Sequence, residues 1–184
     1  FLFNSLNAAI ALVRTRPAEA EMVLENLADL FRAQLKDGNQ SSTLGREIEL
    51  AQGYLAIETI RMGHQRLQSM WYVDAPEQAE VPHLLLQPLL ENAVYHGIEP
   101  SGEPGTIRIG FAREGEQLRV WLVNPCVSGG DGVKGNGMAL TNIRERLALY
   151  YDLEARLEAK EEMGSDGVRQ YRVVIVLPCR GVTS

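Results

Sequence analysis

One fifteen-residue run limits the folds open to this chain more than any other stretch: Leu84-Leu85-Leu86-Gln87-Pro88-Leu89-Leu90-Glu91-Asn92-Ala93-Val94-Tyr95-His96-Gly97-Ile98. Its apolar residues recur at helical spacing, so Leu85, Leu86, Leu89, Leu90 and Val94 can cover a core. Its second half carries a compact polar group, Glu91, Asn92, Tyr95 and His96, and stops on Gly97. Residues four apart share one helix face, so Asn92 and His96 project together. Glu91 points about 100° away from Asn92. An amide that cannot ionise, an imidazole and a phenol at a helix end suit a ligand bearing phosphate and metal better than proton chemistry on an acyl group. The alternative is a buried helix whose polar end is simply solvated. This stretch alone leaves both readings open.

The totals narrow the function class. A chain of 184 residues that is 45% hydrophobic can bury one good core, or one core plus a smaller helical module. A net charge of −6 argues against a nucleic-acid surface, which needs clustered Lys and Arg in excess. No apolar run approaches the roughly 18 uncharged residues of a membrane span, and no secretory signal is present. Cys126 and Cys179 share no metal-ligand spacing and build no disulfide framework, which makes a reducing setting the default. The pattern at Phe1 is already that of an amphipathic helix without an initiating methionine, so a fragment of a longer protein is expected.

Along the chain, residues 1–36 read as helical, with Phe1, Phe3, Leu6, Ile10 and Val13, then Met22, Leu24, Leu27, Leu30, Phe31 and Leu35 at three- and four-residue steps. Pro17 fits a helix's first turn and predicts a break near Thr15–Pro17. Asp37-Gly38-Asn39 supplies turn chemistry, and a second helical segment runs from about Thr43 to Met62. Two such segments form a hairpin too small to cover its own apolar stripe, which predicts pairing with a second copy into a four-helix bundle. After Gly63 the character changes. Leu67–Val73 reads as a strand, Pro82 leads into the leucine-rich helix, and Thr106–Phe111 and Leu118–Val123 are two strands around the turn Arg113–Glu116. Pro125–Gly137 is a glycine-rich, mobile loop, Met138–Tyr150 a helix, and Ala155–Glu161 with Arg169–Leu177 a last hairpin. The expected class is α+β: helical dimerisation residues 1–66, followed over residues 67–184 by a two-layer α/β sandwich.

Two further stretches carry chemistry. In Gly135-Asn136-Gly137-Met138-Ala139-Leu140 a glycine pair leads into a helix, where backbone can approach a ligand closely and unpaired N–H groups meet an anion. Glycine also serves any tight turn, so the pattern is weak alone. Lys134 beside it places a cation where a phosphate would lie. Asn124 ends a strand just before the loop, either as an ordinary turn residue or as an acceptor that reads a base edge.

Taken in order, these stretches resemble the N, G1 and G2 boxes of the GHKL (Bergerat) ATP-binding fold: E-N-A-x-x-H-G on a helix, a strand ending in Asp or Asn, then G-x-G-x-A-L opening a helix. The start, Phe1-Leu2-Phe3-Asn4-Ser5-Leu6-Asn7, is similar to the phosphoacceptor box of the LytS/YehU-type sensor histidine kinases. Glu58-Thr59-Ile60-Arg61-Met62-Gly63 and Asn142-Ile143-Arg144-Glu145-Arg146-Leu147 extend the resemblance over nearly the whole chain. It implies a homodimeric kinase core on the cytoplasmic side of a membrane sensor, using ATP and Mg²⁺ and passing phosphate from its own histidine to a response-regulator aspartate. It further implies that Asn92 coordinates Mg²⁺, that Tyr95 and His96 lie against the nucleotide, and that Asn124 reads the adenine amino group. Lys134, Gly135, Gly137 and the amides of Met138, Ala139 and Leu140 would hold the phosphates. A neutral oxygen suits a hard cation already neutralised by phosphate.

The departures are specific. Asn124-Pro125-Cys126-Val127-Ser128 contains none of the glycines that follow the G1 acidic residue in relatives, and residues 125–134 contain no phenylalanine. These changes imply weaker nucleotide binding or a differently shaped lid. The family's phosphoacceptor histidine would come immediately before Phe1, and none of the chain's three histidines replaces it. Asn4 would lie one turn after it, either positioning the phosphoryl group or a hydrolytic water, or serving as a helix cap or dimer contact. The alternative function is a kinase-impaired nucleotide-binding scaffold or phosphatase module. A gyrase- or chaperone-like ATPase is disfavoured, because Pro88 stands four before Asn92 where those enzymes need a carboxylate.

Overall fold

The computed structural model describes residues 1–35, 41–126 and 132–182, with backbone only for residues 132–138. The turn expected at Asp37-Gly38-Asn39 and residues 127–131 of the glycine-rich loop lie outside the described residues. Helices α1 (Leu2–Leu12) and α2 (Pro17–Gln34) are separated where Pro17 was expected to break the pattern, with the proline in the first turn of α2. A short strand β1 (Ser41–Thr43) leads into α3 (Leu44–Met62), whose first turn is capped by the Thr43 hydroxyl accepting from the Arg46 amide at 3.2 Å. Then come β2 (Leu67–Asp74), β3 (Glu80–Pro82) and α4 (Gln87–Asn92), which passes directly into a π-helix (Ala93–Ile98). The chain ends with β4 (Gly105–Glu114), β5 (Gln117–Pro125), α5 (Gly132–Tyr151), β6 (Arg156–Met163) and β7 (Arg169–Pro178).

The large sheet has the order β2-β4-β5-β7-β6, parallel between β2 and β4 and antiparallel elsewhere. Period-two alternation sends Ile107, Ile109 and Phe111 of β4, Leu118, Val120 and Leu122 of β5, and Val173, Ile175 and Leu177 of β7 to one face, where all are buried. Each fully buried side chain of this size contributes about 1.5–3 kcal/mol of transfer free energy. The helices cover that face, and a single cluster of buried residues runs from Ala9 on α1 through to Leu177. The protein is therefore α+β, a mixed sheet with a helical layer on one side. No described helix is long and apolar enough to cross a membrane.

Four features differ from the expectations. First, α1 buries the small residues Ser5 and Ala9 together with Leu12, while Phe3, Ile10 and Val13 are 79, 71 and 54% exposed. Close approach to α2 and α3 admits small side chains and turns the bulky ones outward. Second, β1 pairs with β3, a two-stranded ribbon too short to carry a periodic signal. Third, the leucine-rich helix starts at Gln87. Starting it at Leu84 would put Pro88 one turn inside, with no N–H for the Leu84 carbonyl and its ring against that carbonyl. Leu84 instead adopts φ +55°, a left-handed conformation that costs an L-residue about 1–2 kcal/mol. Fourth, α5 begins at Gly132 rather than Met138, so Gly135 and Gly137 lie within its first turns. Buried Leu140, Ile143, Leu147 and Tyr151 anchor the rest of the helix, and propagation from an anchored helix adds one hydrogen bond per residue even through weak formers.

Helix α3 contributes two buried carboxylates, each 2% exposed. Glu47 accepts from the Leu84 amide at 2.9 Å and lies 3.6 Å from Nδ1 of His83, whose Nε2–H donates to the Ala33 carbonyl at 2.7 Å. Glu58 accepts from Nε of Arg61 at 2.9 Å, and Arg61 reaches Glu99 at 2.7 Å. Burial pushes both the Glu47 and Glu58 carboxyls up from their ordinary value.

Candidate functional site

The three sequence stretches meet in one small cleft. It is lined by Leu89, Asn92 and Ala93 of α4 and the π-helix, Leu122 and Asn124 of β5, Leu140 of α5, and Tyr171 and Val173 of β7. Asn92, Asn124 and Leu140 arrive there from three separate elements. The volume is about 10 Å³, room for no more than one water.

Asn124 is the polar member of an otherwise apolar series. It shares the core-facing side of β5 with Leu118, Val120 and Leu122 and is 4% exposed. Its Nδ2 donates to the Pro125 carbonyl at 2.8 Å, which leaves the Oδ1 acceptor free of that bond. Tyr171 faces it across the β5–β7 register, and burial raises the Tyr171 phenol above its ordinary value. The sequence reading missed Tyr171 and Val173. The signal was parity, since Tyr171 lies in phase with Val173, Ile175 and Leu177 as Asn124 does with its own strand.

Asn92 ends α4 and is half-buried. Among the described residues its carboxamide takes no part in the hydrogen bonds that hold the fold. Its neighbour Glu91 is engaged elsewhere, accepting from Nε2 of Gln87 at 2.9 Å. Tyr95 and His96 lie on the π-helix with their rings edge to face at 4.9 Å. Tyr95 is 65% exposed, and neither residue lines the cleft. The Glu99 amide donates to the Val94 carbonyl five residues back, and such a ladder needs more than four residues per turn. The step from Asn92 to His96 therefore falls short of a full turn, whereas on the α-helix expected it would exceed one.

The remaining sequence candidates divide simply. Asn4 is exposed on α1 and does not line the cleft. Ala139 is half-buried and Leu140 buried on α5. The backbone of Lys134, Gly135, Gly137 and Met138 lies in the first turns of α5, and their side chains are outside the described residues. Among the described residues no group of three or more His, Cys, Asp or Glu side chains is placed to hold a metal.

Gly97 sets the closeness of the π-helix to the end of β5. A Cβ there would overlap Nδ2 of Asn124 and come 2.6 Å from the Pro125 carbonyl oxygen. Gly97→Ala is expected to destabilise the fold by about 1–3 kcal/mol, as overpacking does. The urea midpoint of the variant measures this, and an unchanged midpoint would show that the π-helix and β5 are not held at this distance.

The chain has clear relatives. The family model described as Histidine kinase matches residues 1–67. Sensor histidine kinase YpdA of Escherichia coli K12 is 33% identical over 162 residues, 82% of this chain and 28% of YpdA. Sensor protein LytS of Oceanobacillus iheyensis is 31% identical over 166 residues, 80% of this chain and 28% of LytS. The chain thus spans less than a third of the length of the curated relatives it matches. In fold it resembles the Acinetobacter baumannii histidine kinase AdeS, with TM-score 0.55 and 12% identity over 88% of this chain and 79% of that one. The helices of residues 1–62, the Asn92 helix and the glycine-led α5 stand in this order on a histidine-kinase fold, and the chain belongs to the sensor histidine kinases of the LytS type.

Proposed function

We propose that this chain is the kinase core of a two-component sensor. Residues 67–184 bind Mg²⁺·ATP, and the γ-phosphoryl passes to a histidine that the motif places just before Phe1, then to an aspartate on a response-regulator receiver domain. The observation that carries this reading is the convergence of Asn92, Asn124 and Leu140 on one cleft.

The donor set fits the ligand. Asn92 offers a neutral carboxamide oxygen that takes no part in the fold's hydrogen bonds among the described residues, and among those residues no group of three or more His, Cys, Asp or Glu side chains could form an all-protein cage. Mg²⁺ prefers this arrangement, with one or two protein oxygens and the rest from phosphate and water. The ion neutralises charge on the phosphates and aligns them. Asn124 Oδ1 accepts from the adenine amino group, an uncharged bond weaker than the one a carboxylate would make. Tyr95 and His96 meet the nucleotide outside the cleft. The amides of Gly135, Gly137, Met138, Ala139 and Leu140 cradle the phosphates beside Lys134. In the present helix, amides from residue 136 onward face carbonyls four residues back, so the cradle requires the first turns of α5 to open. Three glycines, at 132, 135 and 137, make that opening cheap, at about 1 kcal/mol of helix propensity each. Asn4, one turn beyond the phosphoacceptor, positions the phosphoryl group. Catalysis is then positioning and charge neutralisation.

The helical residues 1–66 form the homodimer. The exposed Phe3, Ile10 and Val13 of α1, with Leu24 and Phe31 of α2 at 46 and 40% exposure, are the apolar faces a second copy would cover. The parent is a membrane sensor whose kinase core lies on the cytoplasmic side.

Three measurements test this. Titration of Mg²⁺·ATP against the wild type and Asn92→Ala is expected to show at least the tenfold loss that even an outer-shell change brings to a metal site, and equal affinities would remove Asn92 from the site. A longer chain that includes the histidine is expected to label with the γ-phosphate of ATP, whereas binding without labelling would favour a scaffold or phosphatase. Sedimentation of Ile10→Glu is expected to show monomer where the wild type shows dimer, and a dimeric variant would place the interface elsewhere.

A further inference from the structure

The peptide at Leu84 is held from both sides by helices that belong to different parts of the proposed machine. From α3, Glu47 accepts its N–H at 2.9 Å. From α5, one guanidinium nitrogen of Arg146 donates to the His83 carbonyl at 2.7 Å and to the Leu84 carbonyl at 3.2 Å. The Leu84 carbonyl is available because Pro88, four residues on, has no N–H to offer it. The peptide carries φ +55°, a conformation leucine keeps only when its surroundings over-determine it. Three residues later α4 begins, and α4 ends on Asn92.

We propose that the Leu84 peptide is a coupling joint, and that Glu47 and Arg146 are positioning residues that transmit movement between the helical module and the nucleotide cleft. The functional half of this inference rests on the nucleotide-site reading above. Leu140 of α5 is one wall of the cleft, so opening the cleft on that side moves α5, and α5 carries Arg146 with it. A shift of Arg146 pulls on the two carbonyls, changes the grip of Glu47 on the opposite face of the same peptide, and so reaches α3. The linkage is reciprocal, so a change at Glu47 alters nucleotide affinity although Glu47 does not line the cleft. The far end of the same segment stays tied to α3 through Arg61 and Glu99 at 2.7 Å, so cutting the joint pivots the Asn92 helix rather than releasing it. His83 is the other titratable side chain in contact, and its ring is fixed by the Ala33 carbonyl of α2 at 2.7 Å.

The test uses Arg146→Met, which keeps the apolar stem and removes the donors, and Glu47→Leu, which removes the acceptor. The first readout is amide hydrogen exchange without nucleotide. Arg146→Met cuts only the α5 side, yet the joint requires the Leu84 amide, bonded on the α3 side, to exchange at least about fivefold faster, the lower end of ordinary site coupling. Core amides of β4 and β5 keep their rates. An unchanged Leu84 amide, or one that accelerates only with the whole core, overturns the proposal. The second readout is Mg²⁺·ATP affinity of the single and double variants. Two residues acting through one peptide give a combined loss smaller than the product of the separate losses, and a multiplicative result means that they act independently. Glu47→Gln keeps an acceptor oxygen and is expected to stand near wild type in both readouts. If the wild type binds no Mg²⁺·ATP, the nucleotide reading fails while the exchange measurement still judges the joint. If Glu47→Leu does not fold, Arg146→Met decides alone.

Discussion

Two buried carboxylates on one helix hold the arrangement together. Glu47 near the start of α3 and Glu58 near its end grip the two ends of the segment that carries Asn92, the first through the Leu84 amide and the second through Arg61 and Glu99. A carboxylate removed from water is expensive unless every available donor is turned toward it. That expense makes the contacts specific, since sliding α3 along the segment by one turn would take the Leu84 amide from Glu47 and part Arg61 from Glu99. The segment between the two grips runs from a left-handed peptide at Leu84, through α4, to the end of the π-helix.

The cleft inherits its geometry from that placement. With α4 held against α3, the π-helix lies on the end of β5 closely enough that only glycine fits at position 97, and Asn92 and Asn124 line the same small space. The wider turn of the π-helix is a known mark of functional positions. Here the chain leaves the cleft with Tyr95 outward and Gly97 inward. Helix α5 closes the space with Leu140, and its Arg146 returns to the Leu84 peptide, so the elements around the cleft form a closed ring of contacts. A proposed kinase that works by positioning phosphate and metal gains from such a ring, because small errors in placement are costly where no covalent help is supplied.

The helical residues show a different economy. Packing α1 closely on its neighbours uses Ser5 and Ala9, leaving Phe3 and Ile10 in the open. A single chain thereby keeps a tight internal contact and still presents bulky apolar groups. In sequence the same residues read as an apolar stripe that the hairpin cannot cover by itself, and helical periodicity does not say which of its members turn inward.

What could be read directly from the residues was local chemistry and its order. Alternation in Leu118–Val123 and Arg169–Leu177 determined strands, Pro17 determined a helix break, and the resemblance to the N, G1 and G2 boxes implied that Asn92, Asn124 and Leu140, which line one cleft, lie together. Tertiary structure decided the rest. The left-handed Leu84 follows from Pro88 only once Glu47 and Arg146, far away in the chain, are there to satisfy the peptide. The early start of α5 depends on the anchoring of Leu140, Ile143, Leu147 and Tyr151, which glycine content alone would not suggest. Tyr171 entered the cleft because the β5–β7 register sets it opposite Asn124, and a register belongs to two strands together. Residue types and short spacings carry the chemistry of a site, whereas which distant group satisfies a buried backbone amide is settled only when the whole core has formed.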